Sequence, residues 1–476
     1  MAISSGCVSK TSFACETNSE CSGASATCES TGFCSVSDGT CDSGRRYVDE
    51  SADYSNQCVD LLAGADAAVN DADPNSLDAG PDTADSGVSD ASTNDGSAVD
   101  AQAPTSDAGD IIVNFSPSNI PGSLLTSATN ALTLQGTDGV VEINSDTGAI
   151  TRLSDFADLH PIGVGFTKVN QGAGEPDIGI FSMTELVIEA GVTLRVRGTG
   201  AIAFAVKGNV TIDGVIDLRG GATSVDGAGA GGFSGGASAS CDGDGPGGGQ
   251  QGASGADVGG GAAGHLMLGG VGGSRGATSG GAAGGTYGGS ALIPLLGGSG
   301  GACGSGAAPR AAGGGGGGAL QISARGVIRI NPGGVINGGG GGGAGGGNDN
   351  GGGGGGSGGG VLIEGGRISV HGVIAVNGGG GGAGANSGSP GQAGQGGQAS
   401  AAQASGGSNA GEGAAGGNGG AASTAQGAGG TSTTGGGGDD NAGGGGASAG
   451  RVRLRSDDIN RTGVVSPIVG LSEGGL

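Results

Sequence analysis

Nine cysteines carry the clearest covalent chemistry in this chain of 476 residues. Six of them, Cys15, Cys21, Cys28, Cys34, Cys41 and Cys58, lie in one Ser/Thr/Gly-rich stretch, with 5, 6, 5, 6 and 16 residues between successive members. That spacing predicts a small module held by three disulfides, the device used where a segment is too short to build a core. Zinc is the weaker alternative, because the stretch has no histidine and no C-x-x-C pair. Cys241 and Cys303 are expected to form a fourth pair, which leaves Cys7 over.

Catalytic groups are sparse. His160, His265 and His371 sit in separate segments, none with a partner at metal-binding or triad spacing. His371 alternates with Ile368 and Val370, so it is expected on an outward face. Glycine-rich text matches G-x-G-x-x-G by accident, and no G-K-[S/T] follows a glycine run, so a phosphate loop is excluded. No serine stands in a convincing nucleophile elbow. The most enzyme-like groups are Asp213, Asp217 and Glu364, since paired acids on a strand surface can cut polysaccharide. Alternation places Asp213 and Asp217 at outward polar positions, and Arg195, Arg197, Arg451, Arg453 and Arg455 read in the same way as solvent faces or sheet-edge charges. No catalysis, metal or cofactor is expected.

The elements that must carry these residues are strands. From residue 111 apolar residues recur with period two: Leu132 and Leu134, Val141 and Ile143, Leu186 and Ile188, Leu194 and Val196. Phe115, Phe156, Phe166, Phe181 and Phe204 concentrate in residues 111–218, the best candidate for an ordinary core. A two-strand phrase then repeats. Val210-x-Ile212 precedes Gly214-Val215-Ile216, Ile328-x-Ile330 precedes Gly334-Val335-Ile336, and Ile368-x-Val370 precedes Gly372-Val373-Ile374. Looser copies are read at Leu186 to Leu194 and at Val452-x-Leu454 with Gly463-Val464-Val465. Units too small to bury their own apolar face predict an all-β fold of stacked β-solenoid rungs.

Between the later rungs lie glycine-rich excursions, residues 219–318, 337–360 and 377–450, in a chain with 125 Gly and no Trp. Glycine loses more entropy on ordering than any other residue, so runs of six are either disordered or packed where backbones come too close to admit a Cβ. In the ordered case they would run as polyglycine II arms, and the path from Leu218 to Cys241 would extend about 70 Å. Cys241 and Cys303 would then clamp two antiparallel arms. Two apolar islands, His265-Leu266-Met267-Leu268 and Leu292-Ile293-Pro294-Leu295-Leu296, pack on the rungs or serve as exposed contact loops.

Residues 61–110 contain many Asp and no Glu, Lys or Arg, and the whole chain has a formal net charge of −25. The segment is expected to be a disordered, self-repelling linker, with calcium binding as the sharper alternative. Nucleic acid is a poor partner for such a charge. Cys7 follows Ile3-Ser4-Ser5-Gly6, which resembles the end of a bacterial lipoprotein signal. The upstream basic and apolar regions are missing, so the start would be late or the chain truncated; the other reading is a free or intermolecular thiol.

The stretch from Cys7 to Asp60, with Thr31-Gly32-Phe33-Cys34-Ser35, Asp38-Gly39-Thr40-Cys41 and Ser43-Gly44-Arg45-Arg46-Tyr47, resembles the N-terminal cysteine module of myxobacterial surface lipoproteins. The glycine-rich half is similar in composition to mycobacterial PGRS proteins and to the polyglycine II tips of some phage adhesins. These resemblances imply a secreted or lipid-anchored cell-surface protein in four parts: a disulfide module (1–60), an acidic linker (61–110), a β-rich domain with the first rungs (111–218) and a glycine-rich repeat domain (219–476). Its expected role is structural or adhesive, toward an extracellular surface, glycan or protein ligand, with the outer membrane as a partner through Cys7. The alternative is a polysaccharide-binding or polysaccharide-degrading solenoid.

Overall fold

The computed structural model describes residues 15, 21, 26–29, 33–38, 41, 45–48 and 59, and residues 112–476 apart from 222–226, 238–239, 348, 387–388, 409–412 and 435–439. Cys7, Cys58 and the acidic segment 61–110 lie outside the described residues. The chain divides into two units, Met1–Ala101 and Gln102–Leu476.

In the first unit β1 (Thr27–Cys28), β2 (Cys34–Ser37) and β3 (Arg45–Tyr47) form an antiparallel sheet. Disulfides join Cys15 to Cys28 and Cys21 to Cys34, and Cys41 is also disulfide-bonded. Cys28 stands opposite Cys34 in the sheet, so the first two bridges leave adjacent positions. That adjacency explains why the sulfurs of Cys15, Cys21 and Cys34 lie within 4.8 Å of one another without a metal site being implied. Glu29 accepts hydrogen bonds from the Ser35 hydroxyl and from Arg45 Nε.

The second unit is nearly all β. A single-turn helix, α1 (Leu124–Ser127), precedes β4 (Leu132–Leu134), β5 (Val140–Asn144), β6 (Ile150–Arg152), β7 (Ala157–Asp158) and β8 (Gly165–Val169). From there the chain repeats one circuit: two aligned strands, a corner, and a third strand facing back. The circuits are β9 (Ile178–Met183), β10 (Leu186–Ile188) and β11 (Thr193–Arg197), followed by β12 (Ala201–Val206), β13 (Val210–Ile212) and β14 (Val215–Asp217). In the next two the aligned pair fuses, giving β15 (Ala319–Ile330) with β16 (Val335–Asn337), and β17 (Gly360–Val370) with β18 (Val373–Ala375). The last circuit is β19 (Arg451–Arg455), β20 (Ile459–Arg461) and β21 (Val464–Ser466), after which β22 (Leu471–Gly474) pairs with β19.

Circuit pairs with circuit in parallel, and two open sheets result. One runs β22-β19-β17-β15-β12-β9-β8 with β4, β10, β13 and β20 on its flank; the other runs β21-β18-β16-β14-β11-β5-β6-β7. The repeated phrase is the register itself. Val210 pairs with Ile328, Ile328 with Ile368 and Ile368 with Ile459, while Val215, Val335, Val373 and Val464 form the matching column. The downstream copy is corrected here: Val452 pairs with Val361, and Ile459 takes the place expected for Val452. Strand β20, at the sheet margin, exposes Asn460 and Arg461, so its sequence lacks the alternation that marks the others. Strands before and after residue 218 share both sheets, as β12 with β15 and β14 with β16 show.

Inward residues of both sheets interlock into one core, with Leu194, Val196, Ile216, Ile336 and Ile374 on one side and Phe204, Ile322, Ile363 and Leu454 among those on the other. Phe166, Phe181 and Phe204 pack in tilted contact across successive strands with centroids 4.9 and 6.2 Å apart. The outer face of the first sheet is apolar as well. Ile178, Ile180, Ala203, Ala319 and Leu362 are covered there by Ile120, Leu125, Leu292 and Leu295. Apolar residues on both faces of one sheet are what parallel strands covered on both sides require.

Candidate functional site

Amides along a β-strand alternate between two directions, but in the glycine-rich segments they rotate through three. Gly351, Gly354 and Ser357 donate to the carbonyls of Ser305, Ala302 and Ser299. Gly352, Gly355 and Gly358 donate to Ala442, Gly445 and Ser448, and Gly353, Gly356 and Gly359 to Ala344, Gly341 and Gly338. Residues 441–450 obey the same rule: Asn441, Gly444 and Ala447 reach Ala385, Gly382 and Gly379; Ala442, Gly445 and Ser448 reach Asp257, Gly260 and Ala263; Gly443, Gly446 and Ala449 reach Thr431, Ala428 and Ala425. A backbone bonded on three sides cannot be a sheet. The described parts of the excursions therefore form a three-dimensional lattice of extended segments, with most of their N–H groups bonded to other segments.

The lattice dictates the residue type. A Cβ built on Gly300 would lie 1.9 Å from Ser234 O, and one on Gly446 would lie 2.0 Å from Asn418 O. Side chains enter where they meet each other, as Ala262, Ala263 and Ala447 do, or where a hydroxyl replaces a backbone acceptor. Ser305 Oγ accepts from Val258 N, and Ser357 Oγ from Ser299 N. The long projecting arms expected from the sequence are corrected: Gly221 N donates to Gly227 O, so the chain has already turned back there instead of running straight to Cys241. Cys241 and Cys303 are disulfide-bonded across two antiparallel segments, with Cys303 N on Cys241 O and Gly300 N on Asp244 O.

Of the contact-loop residues, Met267, Leu268 and Ile293 are exposed, whereas His265, Leu292, Leu295 and Leu296 are buried. Leu292 and Leu295 cap the outer face of the first sheet, and Leu266 is half-buried. His265 stacks on Tyr287 with centroids 4.4 Å apart, and its Nδ1 donates to Gly358 O at 2.7 Å. Burial keeps the ring neutral and lowers its pKa to about 4. Burial likewise raises the Tyr287 phenol, whose hydroxyl donates to Gly297 O. Within this island His265 is packed inside the lattice, while Met267 and Leu268 beside it are exposed.

The carboxylates are not brought together. Asp213, at a corner, accepts from Asn331 Nδ2; Asp217, on the second sheet, is bidentate with Arg219 at 2.9 Å. Burial would raise the Asp217 carboxyl, but the hydrogen bonds and charge of Arg219, helped by Arg197, hold it below the ordinary range. Glu364, on the outer face of the first sheet, is wholly buried under the segment 112–120. It accepts from Ser118 N at 3.0 Å, Ser118 Oγ at 2.6 Å, Ser323 Oγ at 2.8 Å and Gln321 Nε2 at 3.1 Å, and pairs with Arg455 at 3.0 Å. That network fastens one chain segment to the sheet. His160 meets the carbonyls of Gly148 and Val164 through its two ring nitrogens, and His371 Nδ1 meets Thr462 Oγ1.

No protein family, curated protein or solved structure matches the chain. Sequence reasoning missed the Glu364 network, since its partners come from three distant segments. The one available signal was a carboxylate directly after the apolar run Val361-Leu362-Ile363.

Proposed function

We propose that this chain is a bacterial cell-surface structural or adhesive protein without catalysis, in which the stacked circuits are a β-solenoid and the glycine lattice is a polyglycine II slab. The observation that carries the reading is the period-three bonding, which matches a helix of three residues per turn with all its bonds directed outward. A slab of that kind is rigid, has few side chains to react, and spends its sequence on shape. The groups an enzyme would use support the same reading: Asp217, Glu364 and the histidines are each held by structural contacts.

The disulfides fit an oxidising compartment, and no helix among the described residues is long and apolar enough to cross a membrane. Cys7 is the proposed lipid attachment point and residues 61–110 the proposed tether. Fractionation of the native source tests this directly, with mass spectrometry of Cys7. Recovery with the envelope and an acylated Cys7 are the expected results; a cytosolic protein with reduced cysteines would overturn the reading.

A further inference from the structure

Where the second sheet meets the lattice, the chain leaves β14 and steps sideways, and the step leaves a recess of about 410 Å³. Its floor is the outward row of the sheet, Arg195 and Arg197 from β11 with Asp217 from β14, continued by Arg219. Its wall is the backbone of Gly341 and Gly342. Arg195 and Arg197 are two residues apart on one strand face, which spaces their side chains by about 7 Å.

This concentration of positive charge is out of keeping with a chain of 18 Lys and Arg against 43 Asp and Glu. Arg219 is taken up by Asp217. The guanidinium groups of Arg195 and Arg197 make no ion pair or hydrogen bond among the described residues, although Asp217 and Glu142 flank Arg195 in the register and the charge of Arg197 acts on Asp217. The Gly342 N–H, on the wall, also has no acceptor among the described residues. Guanidinium forks without hydrogen-bond partners and a backbone donor are the groups that recognise a carboxylate or phosphate.

The recess says more about the body that carries the anion. Its lining has no aromatic and no large apolar residue, so it offers nothing to a nucleobase or an acyl chain. The Gly342 N–H suits a hydroxyl instead. Arg219 neutralises Asp217, so the charge that the recess offers a ligand is that of Arg195 and Arg197.

We propose that the recess bounded by Arg195, Arg197, Arg219 and the Gly341–Gly342 backbone binds a uronic acid unit of an acidic extracellular glycan. The proposal rests on the surface-protein reading for its setting and gives that reading a ligand class.

Titration calorimetry of the full chain, disulfides intact, with trigalacturonate tests it. The acidic trisaccharide binds, its fully methyl-esterified form does not, and added salt weakens binding. Arg195→Gln and Arg197→Gln each weaken binding at least about tenfold. Arg197→Lys, which keeps the charge and loses the fork, weakens it less, and Arg329→Gln on the other sheet leaves it unchanged. Equal binding of the ester, retention of affinity in the Arg195→Gln/Arg197→Gln double variant, or inorganic phosphate binding as tightly as trigalacturonate would each overturn the assignment. So would no binding at all, and that result would leave envelope fractionation, and with it the surface-protein reading, untouched.

Discussion

Gly316 and Gly298 approach so closely that a Cβ on the first would sit 1.8 Å from the carbonyl oxygen of the second. The same Gly298 donates its N–H to Gly317 O at 2.7 Å, so the contact is locked by a hydrogen bond and cannot open to make room. Across the lattice, what looks like low-complexity filler is a steric requirement repeated segment by segment.

The first prediction follows from that contact. Gly316→Ala should destabilise the protein by roughly 3 kcal/mol or more, the upper range for overpacking, because backbone atoms must move. Gly285→Ala is the matched control: an added Cβ there meets nothing within 4 Å, so stability should change by less than about 1 kcal/mol. Urea unfolding of both variants compares them, and equal midpoints would remove the argument from crowding.

Hydrogen exchange should show the lattice period. Gly341, Gly343, Ala344 and Gly346 donate to carbonyls of neighbouring segments, whereas Gly342 and Gly345 have no acceptor among the described residues. Amides at 342 and 345 are expected to exchange much faster than those beside them. Uniformly fast exchange across residues 338–346 would contradict an ordered lattice.

A pH dependence arises from His265. Its imidazole takes a proton near pH 6.5 when unfolded but only at about 4 when folded, because burial disfavours the charged ring. Between those values the unfolded state binds more protons, so stability falls as pH drops through the window and levels off below it. The full contribution is on the order of 3 kcal/mol. In His265→Asn this part of the slope should vanish, which urea midpoints at pH about 7 and about 4.5 would reveal.

Glu364→Gln tests the buried network. Arg455 loses its ionised partner and Ser118 a charged acceptor, a loss of roughly 3 kcal/mol, at the low end for a broken buried pair because Arg455 keeps a route to solvent. Residues 112–120 should gain exchange and protease sensitivity before the rest of the unit does. Loss of stability with no local change there would mean that the network does something else.

Breaking the Cys241–Cys303 bridge as Cys241→Ala/Cys303→Ala should cost about 4 kcal/mol by loop entropy for a sequence separation of 62 residues. Thermal melts under oxidising conditions, where the Cys15–Cys28 and Cys21–Cys34 bridges stay intact in both, should place the variant below the parent.

The parallel columns were legible because the phrase Val-x-Ile, Gly-Val-Ile encodes corner and inward face in a few residues, and Val210, Ile328 and Ile368 fall into one register as that phrase demands. Ile459 escaped because this marginal strand has only one half-buried residue, Ile459 itself. The fate of the apolar islands was not legible. Leu292 and Ile293 are neighbours with similar side chains, and the segment that carries them is held by partners remote in sequence, Asn119 on Leu292 O and Gln171 on Leu295 N. Arg195 and Arg197 were readable as outward but not as lacking side-chain hydrogen bonds, which depends in part on Arg219 having taken Asp217.

The threefold bonding rotation also bears on which length changes the gene can accept. In a segment such as residues 351–359, inserting or deleting one or two residues turns every later N–H toward the wrong neighbour, whereas a change of three restores the phase and slides the segment by one repeat. Inherited insertions and deletions in this half of the molecule should therefore come in triplets of codons.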